Sequence, residues 1–279
     1  MVLTDEVSRT LFGEYAAHRA TDRGTEETGW LLLGLREADE AIVLATLPAG
    51  ADRDAGEAHV RFNGVAQTIG YRVVWQFDRR LTQLGVVHTH PGTLRHPSDG
   101  DYDGDREWVP CLQGGEGVFG IGTLDRRGHD EPGGSETAVG GHPKPHVQTF
   151  GDLRFDWYSL AAGDKKYTPL NVEITIGPDL ALPLRPVWGV IEDHADRLDR
   201  LARQMAKVRF EVGRGRDGPA LGVVVGLGAP EQTLRVVLEG KTARYFYEAG
   251  GEVFHPDLPA GTAPDQGVYL ILAELAARG

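Results

Sequence analysis

The chain has 279 residues, of which 41% are hydrophobic and 25% charged, enough for one large core or two smaller ones. A formal charge of −12 excludes a broad phosphate-binding surface, which needs clustered Lys and Arg, so no nucleic-acid partner is expected. The single cysteine, Cys111, excludes an internal disulfide and Cys-rich metal sites, and it fits a reducing compartment, the cytoplasm.

Met1 to Ala17 mixes Asp5, Glu6, Arg9 and Glu14 with its apolar residues, so it has neither the basic start nor the apolar centre of a signal segment. Thr4 and Asp5 offer an N-cap, and Val7, Leu11 and Tyr15 recur at helical spacing, which predicts an opening helix to about His18. Trp30 to Leu33, closed by Gly34, and Ala41 to Thr46 read as strands paired in a hairpin. His59 to Phe62 reads as a further strand. Val65, Ile69, Val73, Phe77 and Leu81 then predict a helix over 64–84. Leu84 to His90 reads as a strand stopped by Pro91-Gly92, followed by a loop, a short helix over 98–112 and a strand over 118–124. Residues 126–147 are rich in Gly, Pro and His and poor in large apolar residues, the composition of a mobile insertion.

Strand patterns resume over 153–160 and 172–176, and a helix over about 187–207 follows, with Ile191, Leu198, Leu201 and Met205 on one stripe. Apolar stretches at 208–212, 221–227, 234–238 and 243–247 are separated by turn signals and end in a helix from Asp265, which predicts a small antiparallel sheet with one helix on it. Three segments result: 1–165 with the Gly-rich insertion 126–147, a strand and linking helix over 166–207, and a C-terminal α+β unit over 208–279. The longest apolar runs, Trp30 to Leu33 and Leu221 to Val225, are strand-sized, so no membrane span is expected.

The chemistry lies in one block. His88 and His90 are two apart on a strand, so both imidazoles project from the same face. Asp101 arrives at the mouth of the next helix, where it can supply an oxygen as a third ligand. Three protein ligands leave a metal one open position for water, the arrangement that serves hydrolysis of an amide. His-x-His is common in strands without metal, and Ser98-x-x-Asp101 has the form of a helix capping box; capping and ligation are compatible.

His88-Thr89-His90-Pro91, six residues, and Ser98-Asp99-Gly100-Asp101 together resemble the JAMM (JAB/MPN) metalloproteases, over roughly residues 5–160. The resemblance implies an α/β (α+β) fold, a mixed sheet flanked by helices. It implies one Zn2+ per chain on His88, His90 and Asp101, and Ser98 as support for a tetrahedral intermediate. It also implies that an upstream glutamate activates the water. Glu27, in Glu27-Thr28-Gly29-Trp30-Leu31-Leu32-Leu33-Gly34, stands at the family distance from the closing glycine, and Glu26 is its competitor. Gly29 and Trp30 depart from the common form of that segment. The implied activity is a bacterial-type, deubiquitinase-like isopeptidase acting after the C-terminal glycine of a ubiquitin-like protein or its conjugate. Two alternatives stand beside it, a metal-free scaffold of the same fold and a hydrolase of small amides or thioesters.

The insertion is expected to act as part of a substrate lid. His96 reads as an exposed loop residue, and His129, His142 and His146 as parts of a spacer. Cys111, after Val109-Pro110, reads as a small hydrophobe packed in a helix.

Overall fold

Thr4 ends one strand and starts the first helix in the same step: its hydroxyl accepts from the Val7 amide at 3.3 Å, satisfying an amide the first turn leaves over. In the computed structural model, which describes residues 1–57, 59–92, 94–124, 144–228 and 231–278, the elements run as follows. Strand β1 (Val2–Thr4), helix α1 (Asp5–Arg19), and strands β2 (Gly29–Arg36), β3 (Ala41–Pro48), β4 (Asp54–Ala55) and β5 (Val60–Arg61) come first. Helix α2 (Gly64–Trp75), strand β6 (Thr82–Thr89), helix α3 (Asp99–Trp108) and strands β7 (Glu116–Leu124), β8 (Val147–Phe150), β9 (Leu153–Ala161), β10 (Thr168–Pro169) and β11 (Glu173–Thr175) follow. Helix α4 (Trp188–Gln204), strands β12 (Val208–Arg214), β13 (Pro219–Gly226), β14 (Gln232–Glu239), β15 (Thr242–Ala249) and β16 (Glu252–Phe254), and helix α5 (Pro264–Arg278) complete the chain.

These elements form two compact units, Met1–Ala49 with Arg53–Phe62 and Asp78–Leu182, and Gly50–Asp52 with Asn63–Phe77 and Pro183–Gly279. The first is built on a mixed nine-stranded sheet in the order β10-β9-β7-β6-β2-β3-β1-β11, with β8 also paired to β9. β2 and β3 form the expected antiparallel hairpin, while β6 runs parallel to β7 and β1 parallel to β3 and β11. Val7, Leu11, Phe12 and Tyr15 of α1 pack with Trp30, Leu32, Val87, Phe155 and Trp157 of the sheet in one buried cluster. A smaller cluster of Val109, Phe119 and Leu160 gathers Val86, Tyr102, Trp108 and Tyr167. Val86 and Val87 are neighbours on β6 and enter different clusters, the alternation expected of a strand.

The second unit is an antiparallel meander, β12-β13-β14-β15-β16. Helices α4 and α5 pack on it, where one helix was expected. Of the linking segment 166–207, β10 and β11 belong to the first unit and α4 to the second. Among the described residues no helix is long and apolar enough to cross a membrane.

Two expectations need correction. The helix predicted over 64–84 ends at Trp75; Phe77 is 63% exposed, and Asp78 folds a turn by accepting from the Arg80 amide, so the apolar spacing outran the helix. Cys111 is exposed rather than packed. α3 stops at Trp108, and Val109–Cys111 makes a single tight turn that buries Val109 and turns Cys111 outward. The insertion over 126–147, its part as a lid, and His129 and His142 fall almost wholly outside the described residues.

Candidate metal centre

Strand alternation assembles the site. His90 lies one residue past β6, yet its amide still donates to the Gly122 carbonyl at 2.8 Å, continuing the pairing with β7. His88 and His90 therefore share the Val86 face of the strand. On the opposite side of β6, Gly29 of β2 stands opposite His88, the Thr89 amide donates to the Thr28 carbonyl at 2.9 Å, and the Thr28 amide donates to Thr89 Oγ1 at 3.0 Å. This pairing sets Glu27 opposite His90 and on the face of the two imidazoles, with Glu26 one step out of phase. Gly29, the departure from the family form, is needed for the approach: a Cβ there would stand 2.5 Å from the Val87 carbonyl oxygen. Trp30 is buried in the α1 core and its Nε1 donates to Glu14.

Asp101 is carried in by the start of α3. Ser98 caps the helix by accepting from the Asp101 amide at 3.1 Å, and its own amide and hydroxyl donate to Asp101 Oδ2 at 2.6 and 2.8 Å. The capping box thus fixes the carboxylate, and it engages the Ser98 hydroxyl as both donor and acceptor. His88 Nε2 and His90 Nε2 are 3.1 Å apart; His88 Nε2 is 3.1 Å from Asp101 Oδ1, and His90 Nε2 is 3.4 Å from Asp101 Oδ2.

These three spacings fit a cation. A tetrahedral ion with bonds of about 2.0–2.1 Å holds its ligand atoms roughly 3.3 Å apart. His90 Nδ1 donates to the Leu94 carbonyl at 2.8 Å, an assignment that leaves the Nε2 lone pair for a metal. Among the described residues this is the one group of His, Cys, Asp and Glu side chains placed to share an ion.

The charges agree with the geometry. Burial opposes ionisation of Asp101, but its bonds to His88, His90 and the Ser98 amide prevail and hold the carboxyl well below its usual range. Glu27, only 4% exposed, is pushed up by burial and by the Asp101 charge, against the pull of His88 and His90. It is therefore a stronger proton acceptor than an ordinary glutamate once ionised. Glu26 instead pairs with Arg23 at 2.6 Å.

Asp105, one turn along α3, accepts from Tyr167 OH at 2.8 Å and Trp108 Nε1 at 3.1 Å. Burial pushes its carboxyl up to about 6, and the Tyr167 hydroxyl rises as well, through its own burial and the Asp105 charge. Sequence reading passed over Asp105, one of several acids in α3; its spacing of four from Asp101, which stacks the two on one helix face, was the available signal. His96 is exposed, as expected, and bonds the neighbouring Pro97 carbonyl. His146 ties its carbonyl to the Trp157 amide and joins no metal group among the described residues.

Residues 8–130 match the model of a family described as prokaryotic homologs of the JAB domain. No curated protein matches the chain. A solved structure that is similar is the solution structure of protein DSY2949 from Desulfitobacterium hafniense, at 15% identity and a TM-score of 0.40, covering 63% of this chain and 94% of that one. The matched span carries His88, His90, Ser98 and Asp101, so over these residues the chain is similar to the prokaryotic JAB domains.

Proposed function

We propose that the chain is a JAMM-type zinc metallopeptidase that hydrolyses the amide bond after the C-terminal glycine of a ubiquitin-like protein or its conjugate. One observation carries the reading: the imidazole nitrogens of His88 and His90 and the carboxylate of Asp101 converge at spacings that suit a shared cation, with a buried glutamate on the same face. His88, His90 and Asp101 would hold one Zn2+. Bound there, zinc acidifies water and polarises a carbonyl.

The chain's own groups do the rest. Glu27 takes the proton from the attacking water and delivers it to the leaving amine, a task suited to a carboxylate held above its ordinary range. Ser98 keeps Asp101 in place through two donated hydrogen bonds; to support an oxyanion as well, its hydroxyl turns away from Asp101 when the substrate carbonyl arrives. The substrate class comes from the family likeness. It suits a single-cysteine protein acting in a reducing compartment, where such conjugates reside.

The test is cleavage of a panel of ubiquitin-like proteins, each fused through its C-terminal Gly-Gly to a reporter. Wild type is expected to release the reporter, while Glu27→Gln and His88→Ala do not. Release that survives both substitutions overturns the assignment. A zinc-loaded wild type that cleaves no fusion but opens small amides or thioesters points to the small-molecule hydrolase, and a wild type that binds no metal points to a scaffold.

A further inference from the structure

We propose that Arg53 is a positioning residue for Glu27, an assignment that rests on Glu27 being the general base. Glu27 stands two residues before β2 begins, so the sheet does not hold it directly. A base on a free loop would wander by more than the few tenths of an ångström that proton transfer tolerates. The structure instead ties every backbone group from Glu26 to Thr28. The Glu26 amide donates to the Arg23 carbonyl at 2.9 Å, and the Glu26 carbonyl accepts from His18 Nε2 at 2.9 Å. The Glu27 amide donates to the Gly56 carbonyl at 2.7 Å, and the Glu27 carbonyl accepts from Arg53 Nε at 3.2 Å. Thr28 is closed by its exchange with Thr89.

Within this clamp Arg53 engages two consecutive residues. Its side chain is 7% exposed, and Nη2 stands 3.8 Å from Glu26 Oε2 while Nε donates to the Glu27 carbonyl. Its own carbonyl accepts from Arg23 Nη2 at 3.4 Å, and Arg23 in turn holds the same Glu26 carboxylate at 2.6 Å. The planar fork of arginine suits this double grip, and the point charge of lysine reproduces it only in part. The other support of Glu27, the Gly56 carbonyl, belongs to the same β4–β5 hairpin, where the Gly56 amide bonds the His59 carbonyl. The base is thus anchored to the hairpin that follows Arg53, while the metal ligands are anchored to β6 and α3. Without Arg53 the peptide plane after Glu27 loses its partner and Glu26 keeps only Arg23. The carboxylate then drifts relative to His88, His90 and Asp101.

The experiment uses the full chain loaded with cobalt(II), whose visible ligand-field spectrum reports the protonation of water at the metal and its hydrogen bond to a neighbouring carboxylate. The midpoint of the spectral pH titration is compared for wild type, Glu27→Gln, Arg53→Ala, Arg53→Gln, Arg53→Lys and Arg53→Ala in the Glu27→Gln background. Cobalt stoichiometry is measured on each. Glu27→Gln is expected to move the midpoint. Arg53→Ala and Arg53→Gln are expected to move it the same way at full cobalt occupancy, and Arg53→Lys less. Once Glu27 is gone, Arg53→Ala is expected to move it no further. On any fusion that wild type cleaves, Arg53→Gln is expected to lower kcat by about 10–100-fold with KM near wild type, the usual loss for a residue that orients a reacting group.

A shifted Glu27→Gln beside Arg53→Ala and Arg53→Gln proteins with the wild-type midpoint overturns the inference alone. An Arg53 effect that persists undiminished in the Glu27→Gln background also overturns it, because the residue then serves the fold and not the base. A Glu27→Gln protein with the wild-type midpoint overturns the base assignment and the inference with it.

Discussion

Asp105→Asn should stabilise the protein at neutral pH and much less in acid. Asp105 carries an ordinary value of 3.8 when unfolded and about 6 in the fold, where burial disfavours its charge despite the bonds from Tyr167 and Trp108. A carboxyl raised in this way makes the folded state bind the proton more tightly than the unfolded state does. Unfolding free energy therefore falls as pH climbs from the unfolded value to the folded one, and the penalty is complete above the latter. Those two values correspond to about 3 kcal/mol at neutral pH. Asparagine keeps an acceptor for one partner and has no charge to bury. Urea unfolding of the metal-stripped wild type and Asp105→Asn, followed by circular dichroism across this window, measures the difference between them. It should grow by about 2–3 kcal/mol between the acid end and neutrality, and most of the change should fall between the two values. A difference that stays constant with pH would refute the reasoning, because it would show that Asp105 ionises in the fold as easily as in the unfolded chain.

Trp157 is fully buried against Phe155, and its Nε1 donates to Gln148 Oε1 at 2.9 Å; Trp157→Ala should lower stability by about 3–5 kcal/mol in denaturant melts. Ser98→Ala removes both the helix cap and a bond to Asp101. It should lower stability by about 1 kcal/mol and weaken metal affinity by about 10–100-fold in a competition titration with a chelator.

The grouping of His88, His90 and Asp101 was readable in the sequence because its geometry is local. Two histidines at a spacing of two need only a strand to share a face, and Ser98 with Asp101 needs only a helix start; both elements carried clear signals in Pro91-Gly92 and the capping pattern. The choice between Glu26 and Glu27 was harder, because it depends on the register of β2 against β6, where Gly29 meets His88. Pairing register is a long-range property that a single segment does not encode. Arg53 left no signal at all, since an arginine between Asp52 and Asp54 looks like a solvated loop residue and its burial comes from the fold around Glu27.

The outer parts of the fold were obscure for related reasons. Strand β1 is three residues long and takes its structure from β3 and β11, far away in sequence, and β10 is a two-residue strand with no room for a pattern of its own. In α2 the apolar spacing continued through Phe77 and Leu81, yet Asp78 and Arg80 form a turn there, a case of local side-chain bonding overriding periodicity. In α4 the pattern and the fold agree, because Ile191, Leu198 and Leu201 all lie buried on one stripe.

The most direct measurement is the metal content of the purified full chain by elemental analysis, on wild type, His88→Ala/His90→Ala and Glu27→Ala. One zinc per wild-type chain is expected, lost in the double histidine variant and kept in Glu27→Ala. A wild type that takes up no zinc even after reconstitution, or a double variant that retains it, would contradict a metal centre on His88, His90 and Asp101.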